Sequence, residues 1–148
     1  MKINGWTILF HPVFEQQRKE LVNNVKTLRK RLSKADFVKH PQVKLFKGIT
    51  VGIEEKIPVD PLASYFALRK PLAKYSRLKK MGLPSRYRLF FKVFPQQKAI
   101  VILWLGFPRR EGDKNDCYRV FTKLVERGQF PASLKDLVDE EETDEEIY

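Results

Sequence analysis

The chain has 148 residues, 43% of them hydrophobic, and a formal net charge of +11; that length builds one core and not two ordinary ones, so a single domain is expected over residues 1–138. One cysteine, Cys117, and two histidines, His11 and His40, leave no disulfide and no metal-ligand spacing, so no metal or other cofactor is expected. No run reaches the roughly 18 to 20 apolar residues of a membrane span, and Gly5-Trp6-Thr7 does not read as part of a leader, so a cytoplasmic protein with no membrane partner is expected.

Residues 4–10, NGWTILF, are short, aromatic and β-branched, and His11-Pro12 ends them: a first strand. Phe14, Leu21, Val25, Leu28 and Leu32 form one apolar stripe of a helix over 13–33 whose other face is basic. Phe46, Ile49, Ile53 and Ile57 predict a second helix over 41–56, stopped by Pro58 and Pro61, and the two helices read as a hairpin. Tyr75–Lys80 and Arg86–Phe94 read as strands joined by the turn Met81–Ser85. In the second, Tyr87, Leu89, Phe91 and Val93 share one face, and Arg86, Arg88 and Lys92 share the other with Phe90 and Phe94. After a turn at Pro95-Gln96-Gln97, the unbroken apolar run at 99–107 marks a central strand buried on both faces. Tyr118, Phe121, Leu124 and Val125 predict a last helix over 115–127 with Gly128 as its stop. The expected architecture is α+β: an N-terminal strand and helical hairpin, then antiparallel strands and a C-terminal helix, with the helices on one side of the sheet. Residues 139–148 have no apolar stripe and read as a disordered acidic tail.

The charge is unevenly placed. Seven of the eighteen acids lie in that tail, so residues 1–138 carry 29 basic against 11 acidic residues, a charge of +18. Residues 61–110 hold twelve basic residues and no acid, a block that attracts polyanions. For any one lysine or arginine a solvated surface is the plain alternative; twelve against none over fifty residues favours nucleic acid. If Tyr75, Arg77 and Lys79 alternate onto one face, the next strand sets Arg86 and Arg88 beside them. Like charges so close cost stability unless an anion sits there. Arg109, Arg110 and Lys114, in a polar loop after the central strand, lead to Tyr118, which is equally readable as a core aromatic at helical spacing. Arginine supplies a bidentate fork for phosphate oxygens and lysine a compact charge that can move a proton, a mixture suited to phosphodiester chemistry. His11 and His40, each before a proline, read as turn residues, and Cys117 has no paired base. A non-catalytic RNA-binding module stacking bases on Tyr75, Tyr87 or Phe90 is the rival reading; a DNA-binding regulator ranks last, since no helix-turn-helix or zinc pattern is present.

The stretches INGWTILFHPVF (3–14), YSRLKKMGLPSRYRLFFKV (75–93), VILWLGF (101–107) and DKNDCYRVFTKLVERGQFPASL (113–134) together resemble the YhaV-type toxins, a branch of the RelE superfamily. The resemblance implies a RelE-like fold and a metal-independent endoribonuclease of a type II toxin–antitoxin pair. Such an enzyme cuts mRNA, free or on the ribosome, and leaves a 2′,3′-cyclic phosphate. It also implies a PrlF-type antitoxin, through whose complex operator DNA would be met. Carried onto this sequence, the implied catalytic set is Lys79, Arg86, Arg88, Arg109, Lys114 and Tyr118, with Lys79 or Lys114 as base. Arg77, Arg110 and, from the basic block itself, Lys74, Lys80 and Lys92 are the expected RNA-binding residues, and the choice between Arg109 and Arg110 as active-site arginine stays open.

Overall fold

A computed structural model of the chain describes residues 1–107, 116–130 and 132–136. Asn4 and Gly5 take left-handed backbone conformations (φ 52° and 81°) and split the expected first strand into a tight hairpin, β1 (Lys2–Ile3) and β2 (Trp6–Phe10). His11 then starts helix α1 (Pro12–Arg31): its Nδ1 accepts the Val13 N–H at 3.1 Å, with Pro12 in the first turn where its missing N–H costs nothing. His40 does the same for the third helix. A short helix α2 (Lys34–Lys39), capped by Ser33, intervenes, and α3 (Pro41–Val51) begins with Gln42 N–H bonded to His40 Nδ1. Both histidines are thus helix caps. The expected second helix continues past α3 as a π-helical turn (Gly52–Lys56) and a tight turn at Ile57–Val59 before Pro61 stops it.

Strands β3 (Ser76–Leu78), β4 (Arg88–Phe94) and β5 (Ala99–Gly106) form the expected antiparallel meander, in a five-stranded sheet of order β1-β2-β5-β4-β3. β2 lies parallel to β5, from Thr7 opposite Ala99 to Phe10 opposite Ile102. β3 and β4 are shorter than the sequence pattern suggested, because the connection between them runs from residue 79 to 87. Lys80, Met81, Gly82 and Arg86 all sit in the left-handed region there, and buried Leu83 pins the connection to the core. Gly48 of α3 lies against it: a Cβ on Gly48 would come within 2.7 Å of the Gly82 carbonyl oxygen.

The expectation that the helices gather on one side is corrected by the sheet's own chemistry. Every residue of β5 is buried, as expected of its unbroken apolar run, and two apolar faces need two covers. On one face Leu89, Phe91, Ile100 and Ile102 pack with Phe14, Leu21, Leu45 and Ile49 of α1 and α3. On the other, Phe90, Val101, Leu103 and Trp104 pack with Phe121 of α4 (Asp116–Glu126) and with Phe130. A bulge sets Phe90 opposite Trp104 and Phe91 opposite Ile102, so Leu103 and Trp104 both turn toward α4. Phe121, fully buried, stacks on Phe90 at 4.1 Å and on Phe130 at 5.4 Å; losing its ring would cost about 3–5 kcal/mol. No helix among the described residues is long and apolar enough to cross a membrane.

Candidate active site

Even-numbered residues of β4 face α4, and Arg77 of β3 sits opposite Phe90 in the same register, so Arg77 and Arg88 point to the same side of the sheet. Arg88 opens β4 opposite Gly106, the last residue of β5. A Cβ on Gly106 would come within 2.9 Å of the Trp104 ring and 3.2 Å of Cys117 Sγ, so glycine there sets how closely the first turn of α4 approaches the sheet. That approach brings Tyr118 over the two arginines. Its hydroxyl accepts one hydrogen bond from Arg77 Nε at 3.1 Å and another from Arg88 Nε at 3.2 Å. Each guanidinium is held a second time, Arg77 Nη1 by the Tyr65 carbonyl at 2.9 Å and Arg88 Nη1 by the Tyr87 carbonyl at 2.8 Å.

Burial is the largest single influence on the Tyr118 phenol and pushes its pKa up, but the two hydrogen bonds and the charges of Arg77 and Arg88 together outweigh it and hold the phenol below its ordinary value. The donors occupy the oxygen's lone pairs and leave its proton free to point elsewhere. Both Nε atoms lie on one oxygen, so they are no more than about 6 Å apart, a separation at which two unit charges repel by about 3 kcal/mol at an effective dielectric near 20 and by less where solvent screens them. Such a pair is stable when an anion joins it. Beside it opens a groove of about 790 Å³ between residues 67–72, the end of β3 and α4, lined by Arg69, Lys70, Arg77, Lys79, Arg119 and Lys123, with Glu126 the one acid among its described lining residues.

Of the residues singled out in the sequence, Arg77, Arg88 and Tyr118 are in direct contact, and Lys79 shares their groove. Arg86 lies outside β4, exposed, with φ 73°; its carbonyl accepts from Cys117 Sγ at 3.9 Å, which keeps its backbone beside the start of α4. Lys74 and Lys80 are exposed on the segments flanking β3. Lys92 is a correction. Expected on the RNA-binding face, it is 9% exposed, donates to the Ala132 carbonyl at 3.0 Å and lies over the rings of Tyr75 and Phe94, because the chain after α4 folds across that end of β4. Burial, and next the charge of Lys74, lower its pKa. Tyr75 and Phe90, offered by the rival reading as base-stacking rings, are buried against Phe121. Arg109, Arg110, Lys114 and the acidic tail lie outside the described residues. Sequence reasoning missed Arg69, Lys70, Arg119 and Lys123. The last two carried a signal, since they flank Tyr118 on α4 at one and five residues' distance.

The fold and this site define a basic α+β protein that clamps a phenol between two arginines beside an anion-attracting groove, the equipment of a phosphodiester-cleaving enzyme. The chain belongs to the Toxin_YhaV family, described as toxin with endonuclease activity, of toxin–antitoxin system, which it matches over residues 8–142. It is 34% identical over 149 residues to the ribonuclease toxin YhaV of Escherichia coli strain K12, covering 95% of each chain, and equally to the toxin YhaV of Escherichia coli O157:H7. To the toxin YhaV of Escherichia coli O6:H1 it is 33% identical over the same coverage. No solved structure matches the chain. The resemblance to the YhaV-type toxins and the endonuclease class are therefore borne out, and membership of a toxin–antitoxin system implies an antitoxin partner.

Proposed function

We infer that this endonuclease toxin is a RelE-type ribonuclease that cleaves mRNA without a metal ion. The observation that carries the reading is the Tyr118 phenol held by two arginines at a cationic groove. The name of the Escherichia coli K12 relative, ribonuclease toxin YhaV, supports RNA as substrate. In the proposed reaction the ribose 2′-oxygen attacks phosphorus while its proton passes to a base, Lys79 or Lys114. The bond from phosphorus to the 5′-oxygen breaks, and that oxygen takes the proton of Tyr118, giving a 2′,3′-cyclic phosphate and a free 5′-hydroxyl. Arg77 and Arg88 bind the non-bridging oxygens and stabilise the charge that grows on them; Arg86, and Arg109 or Arg110, add to that field. A PrlF-type antitoxin neutralises the toxin by covering this face. Cleavage of a long RNA by the purified protein in EDTA, with product ends identified by mass, tests the reading. Cyclic phosphate ends that vanish in Tyr118→Phe and Arg86→Ala while RNA binding persists support it; binding without cleavage, even on translating ribosomes, sinks it.

A further inference from the structure

Tyr65 is an exposed aromatic residue in a place that packing does not require. The residue is 54% exposed, while its carbonyl oxygen holds Arg77 Nη1 at 2.9 Å, so a single guanidinium separates that carbonyl from the Tyr118 hydroxyl. The residue is rigidly mounted. It lies in the tight turn Ser64–Phe66; its ring meets Phe66 edge-on at 4.6 Å, and Phe66 is 1% exposed and packs on Phe91 at 5.5 Å. The following residue but one, Ala67, is bridged to Ser76 at the start of β3 and lines the groove. The same turn therefore carries an exposed ring and the acceptor that aims a groove arginine.

The groove's described lining supplies cations for phosphates but little for bases: Tyr118 is its one aromatic residue, half-buried and in T-shaped contact with Phe90 at 5.8 Å. A single strand whose phosphate is held by Arg77 and Arg88 must put its neighbouring bases somewhere, and a base stacks on any fixed π face. We propose that Tyr65 is a base-stacking subsite for the nucleotide flanking the phosphate bound by Arg77 and Arg88, and thereby a determinant of where the RNA is cut. The inference rests on the ribonuclease reading.

The test is binding of a non-cleavable 2′-O-methyl RNA oligonucleotide, followed by fluorescence anisotropy, to the wild type and to Tyr65→Ala and Tyr65→Phe. Loss of one stacked base weakens binding by about tenfold, so Tyr65→Ala should fall by that factor and Tyr65→Phe, which keeps the ring, should not. Stacking releases no counterions, so the salt dependence of binding stays the same. Replacing one nucleotide at a time by an abasic unit then separates stacking from a structural effect. At one position next to the bound phosphate the wild type should drop to the level of Tyr65→Ala, and the variant should lose nothing more. Equal affinities for wild type and Tyr65→Ala, or a penalty indifferent to every abasic position, overturn the subsite while leaving the nuclease reading intact. A wild type that binds no RNA overturns both.

Discussion

The side-chain amide of Gln17, on α1, makes both hydrogen bonds of a missing strand to the backbone of Leu105: its Nε2 donates to the Leu105 carbonyl at 2.9 Å, and its Oε1 accepts from the Leu105 N–H at 2.8 Å. The need arises from topology. β2 runs beside β5 only as far as Phe10 opposite Ile102, then turns at His11 into α1, so the next stretch of β5 loses its neighbour on that side. A helix residue one and a half turns into α1 replaces it, satisfying two groups that would otherwise be unmet at the sheet's edge.

Gln17→Leu should therefore destabilise the fold more than its apolar gain would suggest, by about 2 kcal/mol, since two backbone groups lose their partner. Gln17→Glu keeps the acceptor and loses the donor, and should lie between the two. Urea denaturation of the three proteins checks the order. Equal midpoints for Gln17→Leu and wild type would mean that water replaces the amide without cost.

Tyr118 makes a pH-dependent prediction. Its phenol is held below the ordinary value of about 10, so as a proton donor it is lost, and cleavage falls, as pH rises through that lowered value. For stability the sign is opposite: a depressed folded pKa adds stability only as pH rises past it, in full above the ordinary value, and that stability is lost as pH falls back through it. Difference absorbance at 295 nm between wild type and Tyr118→Phe should show the early titration, and Arg88→Gln should move it upward. Tyr118→Phe should lose about 10²- to 10⁴-fold in rate and lack this alkaline limb. An Arg88→Gln protein with an unmoved titration would remove the arginines as its cause.

The meander was legible because β4 and β5 are patterned so strongly, one by alternation and one by an unbroken apolar run. Arg77 and Arg88 were legible as candidates because charge without acid is visible in composition, whereas Tyr118, equally readable as a core aromatic, was legible through the family resemblance. Their contact was not, since Arg77 and Tyr118 are 41 residues apart and meet only because Gly106 lets α4 sit close to the sheet. Lys92 was misread for a related reason. Alternation gives the side of a strand, but not what later folds over it, and the Ala132 carbonyl takes up the Lys92 ammonium at that end of β4. The division of β1 from β2 turned on Asn4, whose left-handed backbone the sequence Asn-Gly does signal.

Because Lys92 is packed and not presented, Lys92→Met should leave RNA affinity within about twofold of wild type, in contrast to Arg77→Ala. Methionine fills the same volume over Tyr75 and Phe94 without a buried ammonium, so stability should stay within about 1 kcal/mol at neutral pH. The ammonium's desolvation cost is full below its lowered folded pKa and is relieved as pH rises through that value toward the unfolded one. A Lys92→Met protein that binds RNA tenfold more weakly would return this residue to the interface.

Seven acids in residues 139–148 share a chain with a domain charge of +18. Tethered at high local concentration, they would compete with RNA for the same cations. Deleting residues 139–148 should therefore raise RNA affinity several-fold at low salt and steepen its salt dependence, an effect that fades as screening shortens the reach of charge. Filter binding across a salt series measures both quantities, and unchanged values would leave the tail a solubilising segment only.

Arg77 and Arg88 hold two like charges on one neutral oxygen, an arrangement that costs the empty protein and benefits only one with an anion between them. Arg88→Leu should for that reason keep or slightly raise thermal stability, even though it removes two hydrogen bonds, while RNA binding and cleavage fall. Arg88→Lys should not rescue cleavage, because an ammonium has no fixed fork to hold the Tyr118 hydroxyl and the Tyr87 carbonyl together. Inorganic phosphate should raise the melting temperature of the wild type and do so less for Arg88→Leu, as expected of a ligand that binds the folded state. A variant that melts several degrees lower, with phosphate stabilising both proteins equally, would mean that Arg88 serves the fold and that the anion is bound elsewhere.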